Sequence, residues 1–281
     1  MSLSRIGAIG ALMISLATSR AVAAGVFRHD VSSDAFIALA KHASFATVVR
    51  ITAAGSTSGG GSAVLIDRQW ALTAAHVVAA RDSVRYVVRI DSVAHEIDSV
   101  IVHPMYHATK DSTYVDLALV HLRSPLPRGS TVAVLSPRDV SMGTRVVSVG
   151  FGRMQNARST TPSPSGVRHA VENVIDTAGR GNAPRSYIGA DLDNPDDSTM
   201  GVTGSGRALP LEGVTYAGDS GGGLFVETAS GWRLVGIVSA SEYQRQRLEQ
   251  FATFGWYGAL SFWTRLDSQR TWISGHVASI R

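Results

Sequence analysis

The sequence predicts an all-β fold, a barrel or a sandwich, and two observations carry that prediction. Beyond one helical stretch, the 281-residue chain reads as short apolar or alternating runs, with glycine, serine, proline or aspartate breaks between most of them. Regularly punctuated short strands, without helical periods between them, argue against alternating α/β units. The composition agrees: 44% hydrophobic and 17% charged residues describe neither a disordered chain nor a coiled coil. The length provides ample core for one large domain or two small ones.

Taken in order, the first element is an export signal over residues 1–24. Arg5 precedes an uncharged, largely apolar run from Ile6 to Ser19, then come Arg20 and the small residues Ala21, Val22, Ala23 and Ala24. A basic start, an apolar stretch under about 15 residues and a small-residue end describe a secretory signal peptide. A membrane span would need about 20 apolar residues. Cleavage after Ala23 or Ala24 would start the mature chain at Ala24 or Gly25, with Val26 close behind. A helix is predicted at Ser33–His42. Strands are predicted at Ala46–Thr52, Ala63–Ile66, Ala71–Ala75, Val84–Ile90, Ile97–Val102, Val115–Leu122, Thr144–Val149, Leu234–Ser239 and Trp256–Trp263. Residues 124–140 carry Pro125, Pro127 and Pro137 and read as a linker between two halves. The polar stretch Asn156–Pro164 reads as an exposed loop, and Leu266–Ile280 as a closing helix.

Composition removes several classes of function. The absence of cysteine excludes disulfide scaffolds, thiolate metal sites and a cysteine nucleophile. Without residues 1–24 the balance is 24 basic against 22 acidic residues, a net charge of +2. That is no electrostatic case for nucleic acid. An exported chain without cysteine fits a bacterial source, in the periplasm or outside the cell.

Three motifs carry chemistry. Leu72-Thr73-Ala74-Ala75-His76-Val77-Val78 is a strand ending in small residues with a histidine at its edge. Asp116-Leu117-Ala118-Leu119-Val120-His121-Leu122 puts a carboxylate at the start of an alternating strand, where it can be partly buried. Gly218-Asp219-Ser220-Gly221-Gly222-Gly223 sets a serine in a glycine-rich turn whose N–H groups can point outward. Together they supply a nucleophile, an imidazole base and a carboxylate to orient it.

In the order His, Asp, Ser, with gaps of 40 and 104 residues, these motifs resemble the chymotrypsin/trypsin family of serine peptidases from about Ala46 to Trp272. The resemblance implies two antiparallel six-stranded β-barrels with a C-terminal helix. Their expected spans are residues 45–123 and 141–265, with the helix over 266–280. It implies that Ser220 attacks the scissile carbonyl, His76 shuttles the proton and Asp116 orients the ring. The N–H groups of Gly218 and Ser220 would form the oxyanion hole. Ser239 would hydrogen-bond the triad carboxylate, and the strand Ser239-Ala240-Ser241 would pair with the substrate backbone.

The implied specificity pocket has Val214 at its base with Thr215 beside it, and Ser241 and Gly255 as its walls. With no carboxylate at the base, small to medium apolar side chains are expected rather than Arg or Lys. The partners implied are polypeptide substrates, and no cofactor is implied. In the resembling family, Asp219 is the acid that pairs with a newly freed α-amino group. Here signal cleavage itself would free it, at Gly25 or after one more trim at Val26, the rival being cleavage nearer Ala46.

Three other features are weighed. Asp191, Asp193, Asp196 and Asp197 could offer oxygen ligands to a calcium ion, but a solvated acidic loop is the favoured reading. His103 and His107 read as surface residues, and Arg245 and Arg247 as solvated, with contact to acidic substrates the alternative. Gly218-Asp219-Ser220-Gly221-Gly222 also satisfies the G-x-S-x-G elbow of α/β-hydrolases. That fold needs a parallel sheet built largely before the serine, and it leaves Thr73-Ala74-Ala75-His76 unexplained. The remaining alternative is a binding or adhesion module on the peptidase fold, without turnover.

Overall fold

The computed structural model describes residues 25–57, 59–79, 84–106, 114–178 and 186–280; residues 1–24, expected to be an export signal, and His107 lie outside these. The described chain opens with a short strand, β1 (Gly25–Phe27), and the helix α1 (Ser33–Leu39). Ser32 caps α1, its side chain accepting the Asp34 N–H at 3.3 Å. The helix ends three residues before the predicted His42, and a 3-10 turn over Ala43–Thr47 leads into the first barrel.

That barrel comprises β2 (Val48–Ala53), β3 (Gly61–Leu65), β4 (Trp70–Thr73), the helical turn α2 (Ala75–Val78), β5 (Tyr86–Ile90), β6 (Val93–Val102) and β7 (Ala118–Leu122). Antiparallel pairing in the order β2-β3-β4-β7-β6-β5 closes it. Val64, Leu72 and Leu119 pack from its strands into a core that also takes Phe225 and Ile237 of the second half.

The second half follows as β8 (Arg145–Gly150), β9 (Met154–Asn156), β10 (His169–Val174), β11 (Tyr187–Asp191), β12 (Gly213–Val214), β13 (Gly223–Thr228), β14 (Gly231–Glu242), the short helices α3 (Arg245–Glu249) and α4 (Phe251–Phe254), β15 (Leu260–Arg265) and α5 (Arg270–His276). Six of these strands form an antiparallel sheet in the order β10-β8-β13-β14-β15-β11. A bridge between Thr177 and Gly189 joins its two edges, giving a second six-stranded barrel. The fold is the all-β, two-barrel architecture expected, with a shorter C-terminal helix. The strand expected from Trp256 starts only at Leu260, because Gly255 and Gly258, at φ +58° and +80°, turn the chain first.

β1 lies between β12 and β9 in a three-stranded sheet, with Val26 opposite Val214. Phe27 and Phe36 are buried together beside it. Residues 124–140 cross both barrels: the Ala133 N–H donates to the Leu65 carbonyl and the Ser136 N–H to that of Leu234. Among the described residues, no helix is long and apolar enough to cross a membrane.

His103 corrects the sequence reading. It is 6% exposed rather than on the surface. Its ring meets Trp272 of α5 at 4.7 Å between centroids, and burial holds its pKa down at about 4. Proline-punctuated sequence suggested an exposed turn, and only the returning helix covers it.

Candidate active site

The geometry is built around Asp116, which sits at the seam of the two barrels just ahead of β7. Its Oδ2 lies 2.7 Å from His76 Nδ1 and accepts the Ser239 hydroxyl at 2.6 Å. Its Oδ1 accepts the His76 backbone N–H at 3.0 Å. Its own carbonyl accepts the Thr264 hydroxyl at 3.0 Å, so the second barrel braces a residue of the first. Burial opposes ionisation of this carboxyl, but the hydrogen bonds from His76 and Ser239 outweigh it and hold the pKa below the ordinary value. A carboxylate only accepts, so Nδ1 of His76 carries the proton and Nε2 is left as an acceptor.

Local structure explains the placement of each group. His76 is the second residue of the helical turn α2 that follows β4, and its side chain is 38% exposed while that of Asp116 is 3% exposed. Ser239 falls at a register shift between β14 and β15, a bulge that redirects a side chain toward a neighbouring group. Ser220 follows Asp219 in the tight turn before β13. Its carbonyl accepts the Ser62 N–H of β3 at 2.7 Å. Gly61 fits between that carbonyl and Val77: a Cβ there would lie 2.7 Å from the Ser220 oxygen and 3.1 Å from Val77. The serine loop therefore seats on the strand pair that leads to His76. No hydrogen bond joins Ser220 Oγ to His76 Nε2 among the described residues, and such contacts are often long before substrate binds.

Gly218 has φ +95°, and a Cβ on it would come within 2.9 Å of Gly152 Cα. Among the described residues, neither the Gly218 nor the Ser220 N–H donates to a protein acceptor. Asp219 is fully buried beneath this turn, accepting the Gly152 N–H at 2.8 Å and the Tyr216 N–H at 3.0 Å. A Cβ on Gly150 or Gly152 would meet its Oδ1 at 2.3 or 2.7 Å, and one on Gly25 would meet its Oδ2 at 2.9 Å. Three glycines distant in sequence thus make room for one carboxylate. The pair in Val149-Gly150-Phe151-Gly152 was the available sequence signal.

The two residues expected as pocket walls lie on different elements. Ser241 of β14 lies opposite Ser261 of β15, not Gly255. Gly255 instead ends α4, where a Cβ would strike the Ala157 carbonyl. Ser241 and Ser261 both donate to the Thr215 carbonyl, at 2.6 and 3.1 Å, and Ser261 Oγ accepts the Thr215 N–H at 2.8 Å. Val214 is buried in an apolar cluster with Val26, Trp256 and Tyr257. Arg247 also departs from expectation: it is partly buried and donates to the carbonyls of Met200 and Tyr257, whereas Arg245 is exposed and pairs with Glu249.

The aspartate loop divides in two. Asp196 is exposed and Asp197 is partly exposed, accepting from Thr199, but Asp191 and Asp193 are buried. Asp193 Oδ1 is buried without a hydrogen-bond partner. Burial, then the nearby Asp191 and Asp176, push the Asp193 carboxyl up to about 7. Among the described residues, no group of three or more such side chains could hold a metal ion. A raised carboxyl pKa means that the folded chain keeps a proton the unfolded chain releases. Stability therefore falls as pH rises from the ordinary carboxylate range to about 7 and stays lower above it. Asp193→Asn removes that loss. Thermal melts are expected to show a gain at pH 8 of about 2–4 °C, the equivalent of about 1 kcal/mol, and little change at pH 4.

Comparison with known proteins gives a consistent result. A family model described as Trypsin matches residues 38–255. The chain is similar to the CLIP domain-containing serine protease B4 of Anopheles gambiae, 28% identical over 151 residues, covering 51% of this chain and 38% of that protein. It is also similar to the complement C1s subcomponent of Rattus norvegicus, 35% identical over 121 residues, covering 36% of this chain and 17% of that protein. The matches thus span well under half of either relative.

Proposed function

The chain belongs to the trypsin family, and from that premise we propose that it is an active serine endopeptidase, exported and working on polypeptides through an acyl-enzyme. Ser220 is the nucleophile, His76 the general base and then acid, and Asp116 the group that fixes the imidazole tautomer. The Gly218 and Ser220 N–H groups receive the developing oxyanion. No cofactor takes part. The observation that carries the reading is the His76–Asp116 contact of 2.7 Å, backed by Ser239 and set beside the serine loop.

Intact-mass analysis after fluorophosphonate labelling tests it. One adduct on the wild type, absent from Ser220→Ala, is the expected result. A folded wild type that takes no adduct would leave the binding-module reading.

The substrate chain runs along Ser239-Ala240-Ser241 as an added strand. Val238 still exchanges hydrogen bonds with Gly221 and Gly222, and from Ser239 onward β14 pairs with β15 alone among the described strands, so that edge is open. An uncharged base at Val214, and hydroxyls of Ser241 and Ser261 tied to Thr215, support a shallow pocket for small to medium apolar side chains. Ser241→Gly is expected to raise kcat/KM for leucine relative to alanine substrates by about tenfold, the scale of a methylene or two in an apolar pocket. An unchanged ratio in a peptide series would remove Ser241 from the specificity wall.

The mature chain begins at Gly25. Supporting this, the Gly25 N–H donates to the Arg153 carbonyl at 2.5 Å, and Gly25 stands against Asp219 Oδ2. Cleavage near Ala46 would remove β1 from the middle of its sheet together with buried Phe27 and Phe36.

A further inference from the structure

His169 lies in β10 opposite Gly150 and is the other buried ionisable group under the serine loop. Its Nδ1 is 3.2 Å from the Val167 carbonyl, and its Nε2 is 3.2 Å from Asp219 Oδ1. A carbonyl oxygen can only accept, so Nδ1 carries a hydrogen. Asp219 already accepts the Gly152 and Tyr216 backbone N–H bonds, so its oxygens face donors. Nε2 faces this carboxylate at ion-pair distance, and a ring that carries a proton on both nitrogens is a cation. Burial opposes this charge and Asp219 outweighs it, so the histidine pKa is raised. Asp219 is the charged side chain that faces the ring among the described residues. Neighbouring Arg168 turns away to the Ala40 carbonyl.

Gly25 completes the arrangement. A Cβ on it would lie 2.9 Å from Asp219 Oδ2 and 3.1 Å from His169 Nε2. In a chain beginning there, the free amine would bring a second positive charge to the same carboxylate. In a chain that retains residues ahead of Gly25, this nitrogen is a neutral amide.

We infer that His169 is a positioning residue, a built-in counter-ion that holds Asp219, and through it the Gly218–Ser220 turn, in the chain that still carries residues ahead of Gly25. The inference rests on the peptidase reading but is separable from it. The imidazolium and the amine do the same work on one carboxylate, so a chain processed at Gly25 no longer needs the histidine. Two like charges also disfavour each other, so processing lowers the pH at which His169 gives up its proton.

The test uses the full chain with residues 1–24 retained and the chain beginning at Gly25, each as wild type and as His169→Gln. Glutamine keeps an N–H donor but removes the charge. Fluorophosphonate labelling rates are measured from pH 5 to 9, with the N-terminus checked by mass. In the full chain, His169→Gln is expected to label about a hundredfold more slowly, the loss that follows when one oxyanion donor is misplaced. In the chain beginning at Gly25 the two should label alike. The full-length wild type should lose reactivity as pH rises through the His169 pKa, and the processed form should not. Equal rates for the two full-length proteins would overturn the inference. Nitrogen NMR of the His169 ring in the full-length wild type reads its charge without any variant, and a neutral ring at pH 6 would also overturn it. If no form labels, the peptidase reading fails while the NMR result still decides the state of His169.

Discussion

Asp116→Asn is expected to lower kcat by about four orders of magnitude near neutral pH, with the fold retained. The carboxylate accepts from His76 Nδ1, the His76 backbone N–H and the Ser239 hydroxyl. An amide of the same size offers one acceptor and one donor. If its oxygen keeps the backbone N–H, its NH2 group faces Nδ1, and the ring answers by moving its proton to Nε2. That is the nitrogen needed to take the Ser220 proton, so the base is lost without any change of shape. Steady-state kinetics beside a thermal melt check this. A fall of less than tenfold in a folded protein would mean that Asp116 does not set the tautomer.

Asp219→Ala should have the largest effect on stability. The substitution leaves the buried Gly152 N–H and the partly buried Tyr216 N–H without their acceptor, at up to about 1–3 kcal/mol each. It also removes the partner of His169. Denaturant unfolding is expected to show a loss of about 3–5 kcal/mol, and a slackened turn should cost catalysis about a hundredfold or more. The pH dependence should change sign as well. In the wild type the raised His169 pKa contributes stability that is fully present below the ordinary histidine value and is lost as pH rises through the folded value. With Asp219 gone, burial outweighs the remaining Val167 carbonyl contact and favours the neutral ring, so stability falls toward acid instead. Unfolding measured at pH 5 and 8 separates the two behaviours, and parallel losses at both would contradict the buried ion pair.

What was legible in the chain was what short-range chemistry dictates. Alternating apolar runs between glycine and proline breaks give strands and turns wherever they occur, so the all-β class followed from local pattern. The helix expected from Ser33 does start there, and the structure adds Ser32 as its cap. The serine turn was readable from glycines that tolerate a φ of +95°. The histidine and aspartate motifs stood out because each couples small or alternating apolar residues to one ionisable group.

Tertiary structure alone decided which distant residues meet. The bulge that turns Ser239 toward Asp116 and the pairing of Ser241 with Ser261 depend on the register between β14 and β15. A one-residue slip in that register would exchange every inward and outward side chain. The burial of His103 waits on Trp272, and the charge of His169 on a carboxylate fifty residues away held open by Gly25, Gly150 and Gly152. Local sequence determines what a residue can do, whereas closure of the barrels sets its neighbours and its access to water, and with them its protonation.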